Sequence, residues 1–169
     1  MPEATRTALR RAYEEYYIPY EEPDRPIPWE TFCEYSRPFP PKPGANWDNA
    51  SEWAAGGLGR DTRFLEFARS NPISLAARCL FAENRSATGQ IGRRAVRATA
   101  TVIANRAKDG RYGGTTVSDT ILAQDQFSSV WDTNTGARNP ILHADELELW
   151  CYCVHIARHL CSNTRSMIS

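Results

Sequence analysis

Apolar residues recur at helical spacing along most of the chain, and the strict apolar–polar alternation that marks a strand is scarce. The clearest stripe has its members at i, i+4, i+7 and i+11, which predicts the buried face of a long helix over about residues 87–107. Its members are Ile91, Ala95, Ala98 and Val102. The hydrophobic pattern therefore predicts a mainly α fold.

Helix start and stop signals predict shorter helices on either side of this long one. They are expected over residues 5–17, 48–55 and 74–83, from Asp61 onward and after Thr116, whereas residues 124–140 should be mostly irregular. Asp61 is expected to cap a helix that buries Phe64, Leu65 and Ala68. A last helix should begin near Ala144, and its predicted buried residues are Leu147, Trp150, Cys151, Val154, Ala157 and Cys161.

Prolines divide the chain into two regions, since nine of the eleven lie at or before Pro43. Proline interrupts helices and weakens strands, so residues 18–44 are predicted to form an extended, polyproline-like arm. Disordered linkers are poor in aromatic residues, whereas this arm contains several, and we therefore expect it to pack on the body. The predicted organisation is an N-terminal helix and arm over 1–45 and a single catalytic domain over 46–169.

Composition and charge describe an ordinary globular protein. The formal net charge is zero, which favours neither nucleic acid nor an anionic membrane as a partner. No apolar run approaches the roughly 20 residues of a membrane span, and no general secretory signal is recognisable at the N-terminus. A DNA-binding interpretation would use the arginines of the long helix, but these are better explained as its solvated edge. They are Arg93, Arg94, Arg97 and Arg106.

Cysteine and histidine leave three open alternatives. The five cysteines are an odd number, and one disulfide from Cys33 to the C-terminal helix remains an option. His155 and His159 have the spacing of two zinc ligands on one helix face, but no glutamate stands between them as in HExxH. We therefore predict no metal and no cofactor. A Cys–His amidase or peptidase would need one of these thiols beside a histidine.

The chemically most suggestive residue is Glu83, which closes the apolar helix Leu75–Ala82. A carboxyl group at the exit of such a helix is expected to be partly desolvated, and a desolvated carboxyl group keeps its proton to higher pH. A protonated carboxyl near neutral pH is what a general acid needs to cut a glycosidic bond.

Five short motifs follow in order around this glutamate. They are Ala82-Glu83, Gly89-Gln90, Asn105-Arg106, Gly113-Gly114-Thr115-Thr116-Val117 and Gln126-Phe127-Ser128. In this order and spacing, residues 74–131 resemble the SleB/CwlJ-type cell-wall hydrolases. The resemblance implies a lysozyme-like or lytic-transglycosylase-like fold, cleavage of peptidoglycan glycan strands, and Glu83 as the single catalytic glutamate.

The remaining site residues are assigned by the same resemblance and by their chemistry. Gln126 and Ser128 would line the cleft opposite Glu83, because amide and hydroxyl groups suit N-acetyl sugars. Gln90 and Asn105 would position Glu83 or a sugar. The rings expected to stack on pyranose faces are those of Tyr112 and Trp131.

The chain departs from the family after the glutamate, where Asn84-Arg85-Ser86-Ala87 replaces Ala-Arg-Gly-Glu and its second acidic residue. Without a second carboxylate, a group of the substrate itself could attack the sugar carbon. In a lytic transglycosylase this group is the 6-hydroxyl, and in some N-acetylglucosaminidases it is the acetamido group. A muramidase is a third alternative. Three aspartates near the expected cleft occupy no catalytic position of the family. They are Asp119, Asp125 and Asp132.

In its small size and missing signal, the chain also resembles the wall-degrading toxins delivered by type VI secretion. That resemblance implies action on the wall of a target cell and a cognate immunity protein that occludes the cleft. A phage lysis or tail enzyme is the other signal-free option. The alternatives to a glycosidase are a Cys–His peptidoglycan amidase and a lysozyme-like module that binds glycan without cutting it.

Overall fold

A computed structural model of the chain describes residues 1–39, 48, 62–123, 126–127, 130, 135–141 and 144–168. Within these ranges the regular structure is helical and no strand occurs, so the mainly α prediction is confirmed. The α-helices are α1 (Glu3–Ala12), α2 (Ile18–Glu21), α3 (Trp29–Tyr35), α4 (Thr62–Ser70), α5 (Pro72–Glu83), α6 (Gly89–Asp109), α7 (Val117–Leu122), α8 (Thr135–Arg138) and α9 (Leu147–Ile168). A π-helical turn, Tyr13–Tyr17, joins α1 to α2, and a 3₁₀ turn, Ala144–Glu146, leads into α9.

The core is built around α5 and α9. Residues 74–82 of α5 are all buried, which is the pattern of a helix surrounded by others on every side. Phe81 of α5 packs edge-on against Trp150 of α9, with ring centroids 5.7 Å apart. Each residue that the sequence predicted to be buried on the last helix is buried. The beginning of α9 therefore lies beside the end of α5.

The N-terminal segment is more helical than its prolines predicted. The prediction of an extended arm over residues 18–44 is wrong for α2 and α3. Pro19 is the second residue of α2, which directly follows the π-helical turn, and a proline ring clashes with a preceding carbonyl mainly within a regular α-helix. Pro28 immediately precedes α3, a position that a proline also tolerates.

Aromatic side chains of this segment belong to the same core as α5 and α9. The Tyr13 hydroxyl donates to the Ile27 carbonyl at 2.7 Å, and the Ile27 amide donates to the Tyr17 hydroxyl at 3.1 Å. Phe32 is fully buried, with its ring centroid 5.1 Å from that of Tyr13. A domain boundary at residue 45 stays a prediction, because residues 40–47 lie outside the described part.

The predicted buried stripe of α6 is wrong. Ile91 is 78% exposed and Val102 is 42% exposed. The buried positions form a neighbouring stripe of the same period, namely Gly92, Val96, Ala100, Ile103 and Ala107. Both stripes are rich in small and apolar residues, so periodicity alone did not distinguish the face that packs from the face that does not.

Two isoleucines of α6 test this correction. We expect Ile103→Ala to lower the free energy of unfolding by about 2–5 kcal/mol, because it removes buried methyl groups and leaves a cavity. We expect Ile91→Ala to change it by less than about 0.5 kcal/mol, because that side chain already lies in water. Urea denaturation followed by circular dichroism measures both changes. Equal losses in the two variants would contradict this correction, because they would indicate that Ile91 is buried as first predicted.

Local signals elsewhere were read correctly. Thr116 caps α7, since its hydroxyl accepts the backbone N–H of Asp119 at 3.0 Å, and Val117 and Ile121 are buried. The short helix α8 lies within residues predicted to be irregular. The predicted helical residues 49–55 and Asp61 lie outside the described part. No described helix is both long enough and apolar enough to cross a membrane.

Candidate active site

Glu83 is the exposed last residue of α5, whose preceding nine residues are all buried. The helix ends at Asn84, whose side-chain Nδ2 donates to the Leu80 carbonyl at 2.8 Å and to the Thr99 hydroxyl of α6 at 3.1 Å. The Asn84 backbone N–H also bonds to the Phe81 carbonyl at 3.2 Å. This capping holds the backbone on both sides of Glu83 against α6.

Exposure of Glu83 corrects one premise of the sequence argument. Its surroundings in the free protein do not supply the desolvation that an apolar helix end was expected to give. Burial raises the pKa of the Cys79 thiol well above its usual range, and the negative charge of Glu83, on the same helix, raises it further.

The turn after Glu83 is fixed by Glu146. This carboxylate accepts a hydrogen bond from Nη2 of Arg85 at 2.8 Å and one from the backbone N–H of Ser86 at 3.2 Å. Ser86 has a positive φ of 71°, a left-handed conformation that costs energy in residues other than glycine. Glu146 therefore ties this turn to the start of α9.

A surface cavity of about 440 Å³ opens beside the same turn. Within it the Tyr20 hydroxyl lies 3.3 Å from Glu148, and Nη1 of Arg93 lies 3.8 Å from the same carboxylate. Burial raises the pKa of Tyr20 to about 12, and the negative charge of Glu148 adds to this effect. The cavity begins two residues after Glu83, and its mixture of charged and aromatic side chains suits a polar ligand. Its charged and tyrosine lining is Tyr20, Arg85, Arg93, Asp145, Glu146, Glu148 and Tyr152.

None of these cavity residues was singled out as a site residue from the sequence. They come from α2, α6, α9 and the two turns before α6 and α9. Residues that meet only through tertiary packing leave no signal in local spacing. Two short segments at the cavity had been noted, Gly89-Gln90 as a motif and Arg85-Ser86 as a departure from the family.

Gln90 and Asn105 do not share one location. Gln90 is exposed in the first turn of α6, and Asn105 is exposed near its last turn. Fifteen residues of helix separate them by about 22 Å. They therefore cannot both orient the Glu83 carboxylate.

Arg106 brings together two other predicted site residues. Its guanidinium lies over the rings of Tyr112, at 5.3 Å, and Phe127, at 5.2 Å. Its Nη1 lies 3.5 Å from the Gln126 carbonyl. Phe127 is buried. The predicted site residues Ser128 and Trp131, and the aspartates Asp125 and Asp132, lie outside the described residues.

All five cysteines are buried and none of them forms a disulfide, so the optional disulfide from Cys33 is not formed. Burial raises the pKa of the Cys33 thiol to about 11, and burial also raises the pKa values of the Cys79, Cys151 and Cys153 thiols. A nucleophilic cysteine needs the opposite shift.

The chain matches no protein-family model, no curated protein and no solved structure. Function must therefore follow from the chemistry of these residues.

Proposed function

We propose that the protein is a peptidoglycan glycoside hydrolase in which Glu83 is the general acid. The observation that carries the proposal is an accessible carboxylate at the end of a helix whose preceding nine residues are all buried, embedded in the five ordered motifs. A group that must meet one oxygen of a bulky polymer has to be both exposed and rigidly held. Glu83 meets both requirements.

The rigidity comes from Arg78, one turn and a half before Glu83 on α5. Its guanidinium is fully buried and donates to four backbone carbonyls, those of Tyr35, Arg37, Ala137 and Arg138. These carbonyls belong to the last residue of α3, to the segment that follows it and to α8. Lateral movement of α5, and with it of Glu83, would break several of these bonds at once.

In the proposed reaction Glu83 protonates the glycosidic oxygen as the C–O bond breaks, and positive charge develops on the sugar. A bound glycan strand would cover the exposed carboxyl group and exclude water from it, which favours its protonated form. The desolvation that the free protein lacks is thus supplied by the substrate.

The nucleophile of the proposed reaction belongs to the substrate or to water. Asp119 is exposed in the first turn of α7, and Glu146 is already paired with Arg85. Neither matches a catalytic position of the family. The 6-hydroxyl or the acetamido group of the sugar would then attack, so lytic transglycosylase, N-acetylglucosaminidase and muramidase products are all to be sought.

We further propose that the enzyme is a bacteriolytic toxin that acts on the wall of a target cell. A dedicated secretion system would deliver it there. The producing cell would then need an immunity protein that covers Glu83 and the neighbouring cavity. This part of the proposal rests on the resemblance alone.

The test is mass spectrometry of purified peptidoglycan after incubation with the protein. We expect soluble fragments whose ends name the bond: anhydromuramic ends for a transglycosylase, reducing GlcNAc for a glucosaminidase, and reducing MurNAc for a muramidase. Intact glycan with cut peptides would contradict the proposal in favour of an amidase. Tight binding to peptidoglycan without any product would leave a binding module instead.

A further inference from the structure

Two histidines of α9 meet a buried glutamate from the N-terminal part of the chain. Nδ1 of His155 lies 2.8 Å from Oε1 of Glu21, the last residue of α2. His159 stands one turn further along α9, and its ring centroid is 4.7 Å from that of His155. One potential ligand atom from each of the three residues lies within 4.8 Å of the others.

The surroundings of the three residues resemble those of a coordination site. The Glu21 side chain is only 1% exposed, and its second oxygen, Oε2, accepts a hydrogen bond from Nη1 of Arg158 at 2.7 Å. Arg158 also donates to the Arg25 carbonyl. One carboxylate oxygen is thereby oriented by an outer partner while the other faces the histidines, as is usual for carboxylates that bind metals.

Access and orientation are also suitable. His159 is exposed, which opens the group to solvent on one side. The His155 ring is stacked on Tyr20 at a centroid distance of 6.0 Å and is flanked by Tyr152 at 5.9 Å. An aromatic frame of this kind limits rotation of the imidazole and keeps Nδ1 directed at Glu21.

We propose that Glu21, His155 and His159 bind one Zn²⁺ ion, with Oε1 of Glu21 and one ring nitrogen of each histidine as ligands. Zinc prefers imidazole nitrogen and carboxylate oxygen at about 2.0–2.2 Å, and two ligand atoms on one tetrahedral ion are about 3.4 Å apart. Nδ1 of His155 and Oε1 of Glu21 are 2.8 Å apart, and all three ligand atoms lie within 4.8 Å of one another, so adjustments of about 1 Å in these side chains would complete the site. Water would occupy the fourth position.

Proton balance is straightforward. The contact between His155 and Glu21 needs a proton on Nδ1, since the carboxylate can only accept. Zinc binding at this nitrogen displaces that proton: a neutral imidazole then carries it on Nε2, whereas an imidazolium, which already has a proton on Nε2, gives it up to solvent.

The position of the site assigns it a structural role. The beginning of α9 lies beside the end of α5, and Glu146 there contacts the turn after Glu83. His155 is nine residues further along, which is about 14 Å of helix. The ion would fasten the end of α2 to the middle of α9, away from the proposed catalytic glutamate.

The experiment is calorimetric titration of tag-free, chelator-treated protein with ZnCl2, together with thermal unfolding. We expect one equivalent of bound zinc and a Tm raised by about 5–10 °C when free zinc is a hundredfold above Kd. Cobalt substitution should give visible d–d absorption without a thiolate charge-transfer band, because the ligands are nitrogen and oxygen.

The decisive variant is His159→Ala. His159 is exposed, so the metal-free variant should melt within about 2 °C of wild type. Its zinc affinity should fall at least about 100-fold, because even loss of an outer-shell partner costs about 10–100-fold. Glu22→Gln, an exposed carboxylate next to Glu21, is the matched control and should bind zinc as wild type does.

Two outcomes would overturn the proposal. The first is the absence of saturable zinc binding by wild type, which would leave the three residues as a hydrogen-bonded tie between α2 and α9. The second is wild-type affinity in His159→Ala, which would place the zinc elsewhere. Neither outcome bears on cleavage of peptidoglycan, which is measured separately.

Discussion

Glu83→Gln should reduce the rate of release of soluble peptidoglycan fragments by at least about two orders of magnitude, the low end of general acid catalysis. Glutamine preserves the shape of the side chain but has no proton to give to the glycosidic oxygen. The measurement is the initial rate of fragment release, quantified by mass spectrometry at saturating peptidoglycan. A folded Glu83→Gln protein with undiminished activity would end the proposed mechanism.

Folding should not change in this variant, because Glu83 is exposed and the backbone around it is held by Asn84 and Arg78. We expect its Tm to lie within about 2 °C of wild type. Glu66→Gln is the matched control: it removes an exposed carboxylate from α4 and should retain full activity. Parallel losses in both variants would point to a general effect of charge on binding to the wall.

Glu83→Asp separates position from chemistry. The carboxyl group remains but is withdrawn by one methylene, and a displacement of about 1 Å in a reacting group can cost about 100-fold in rate. A non-catalytic glycan-binding module would tolerate both Glu83→Asp and Glu83→Gln, since its binding does not require proton transfer.

Elements encoded by local signals could be predicted from the sequence. The Thr116 cap predicted the start of α7, because a hydroxyl that accepts the Asp119 amide is a property of four consecutive residues. The burial of Trp150, Val154 and Ala157 followed from their helical spacing, which places them on one face of α9.

Features that depend on which surfaces meet could not be predicted. On α6 the stripes through Ile91 and through Val96 have the same period, and only the position of α5 and α9 decides which one is buried. The exposure of Glu83 could not be predicted either, because it depends on which elements pack beside the end of α5. The prolines predicted extended backbone at Pro19, and this prediction failed because a π-helical turn precedes it. One sequence alone gives no local signal for such a turn.

Long-range polar contacts were missed for a related reason. Glu146 lies 61 residues from Arg85, and Glu21 lies 134 residues from His155. Spacing rules predict neighbours within one helix, which is why the pair His155 and His159 was noticed and the third residue beside it was not. The partners of Arg78 were also missed. It is an arginine in an apolar helix, and nothing in the sequence pairs it with an acidic residue.

The second large effect is expected at Arg78. Arg78→Met should lower the free energy of unfolding by at least about 3 kcal/mol, since methionine fills similar space but leaves several buried carbonyls without a donor, each costing about 1–3 kcal/mol. Burial lowers the pKa of Arg78 to about 9, so the guanidinium is still charged at neutral pH. Replacing a buried ion pair with apolar residues can be neutral, but here the partners are backbone carbonyls that no substitution removes.

Urea denaturation measures this loss, and Arg69→Met, an exposed arginine of α4, is the control that should change stability by less than about 0.5 kcal/mol. Arg78→Lys should fall between the two, because three donors on one nitrogen cannot reach carbonyls on both the post-α3 segment and α8. If Arg78→Met were as stable as wild type, the carbonyls would have found water, and α5 would owe its position to apolar packing alone. In that case Glu83 would still be exposed, but the rigidity on which its proposed catalytic role depends would have to come from Asn84 and the turn held by Glu146.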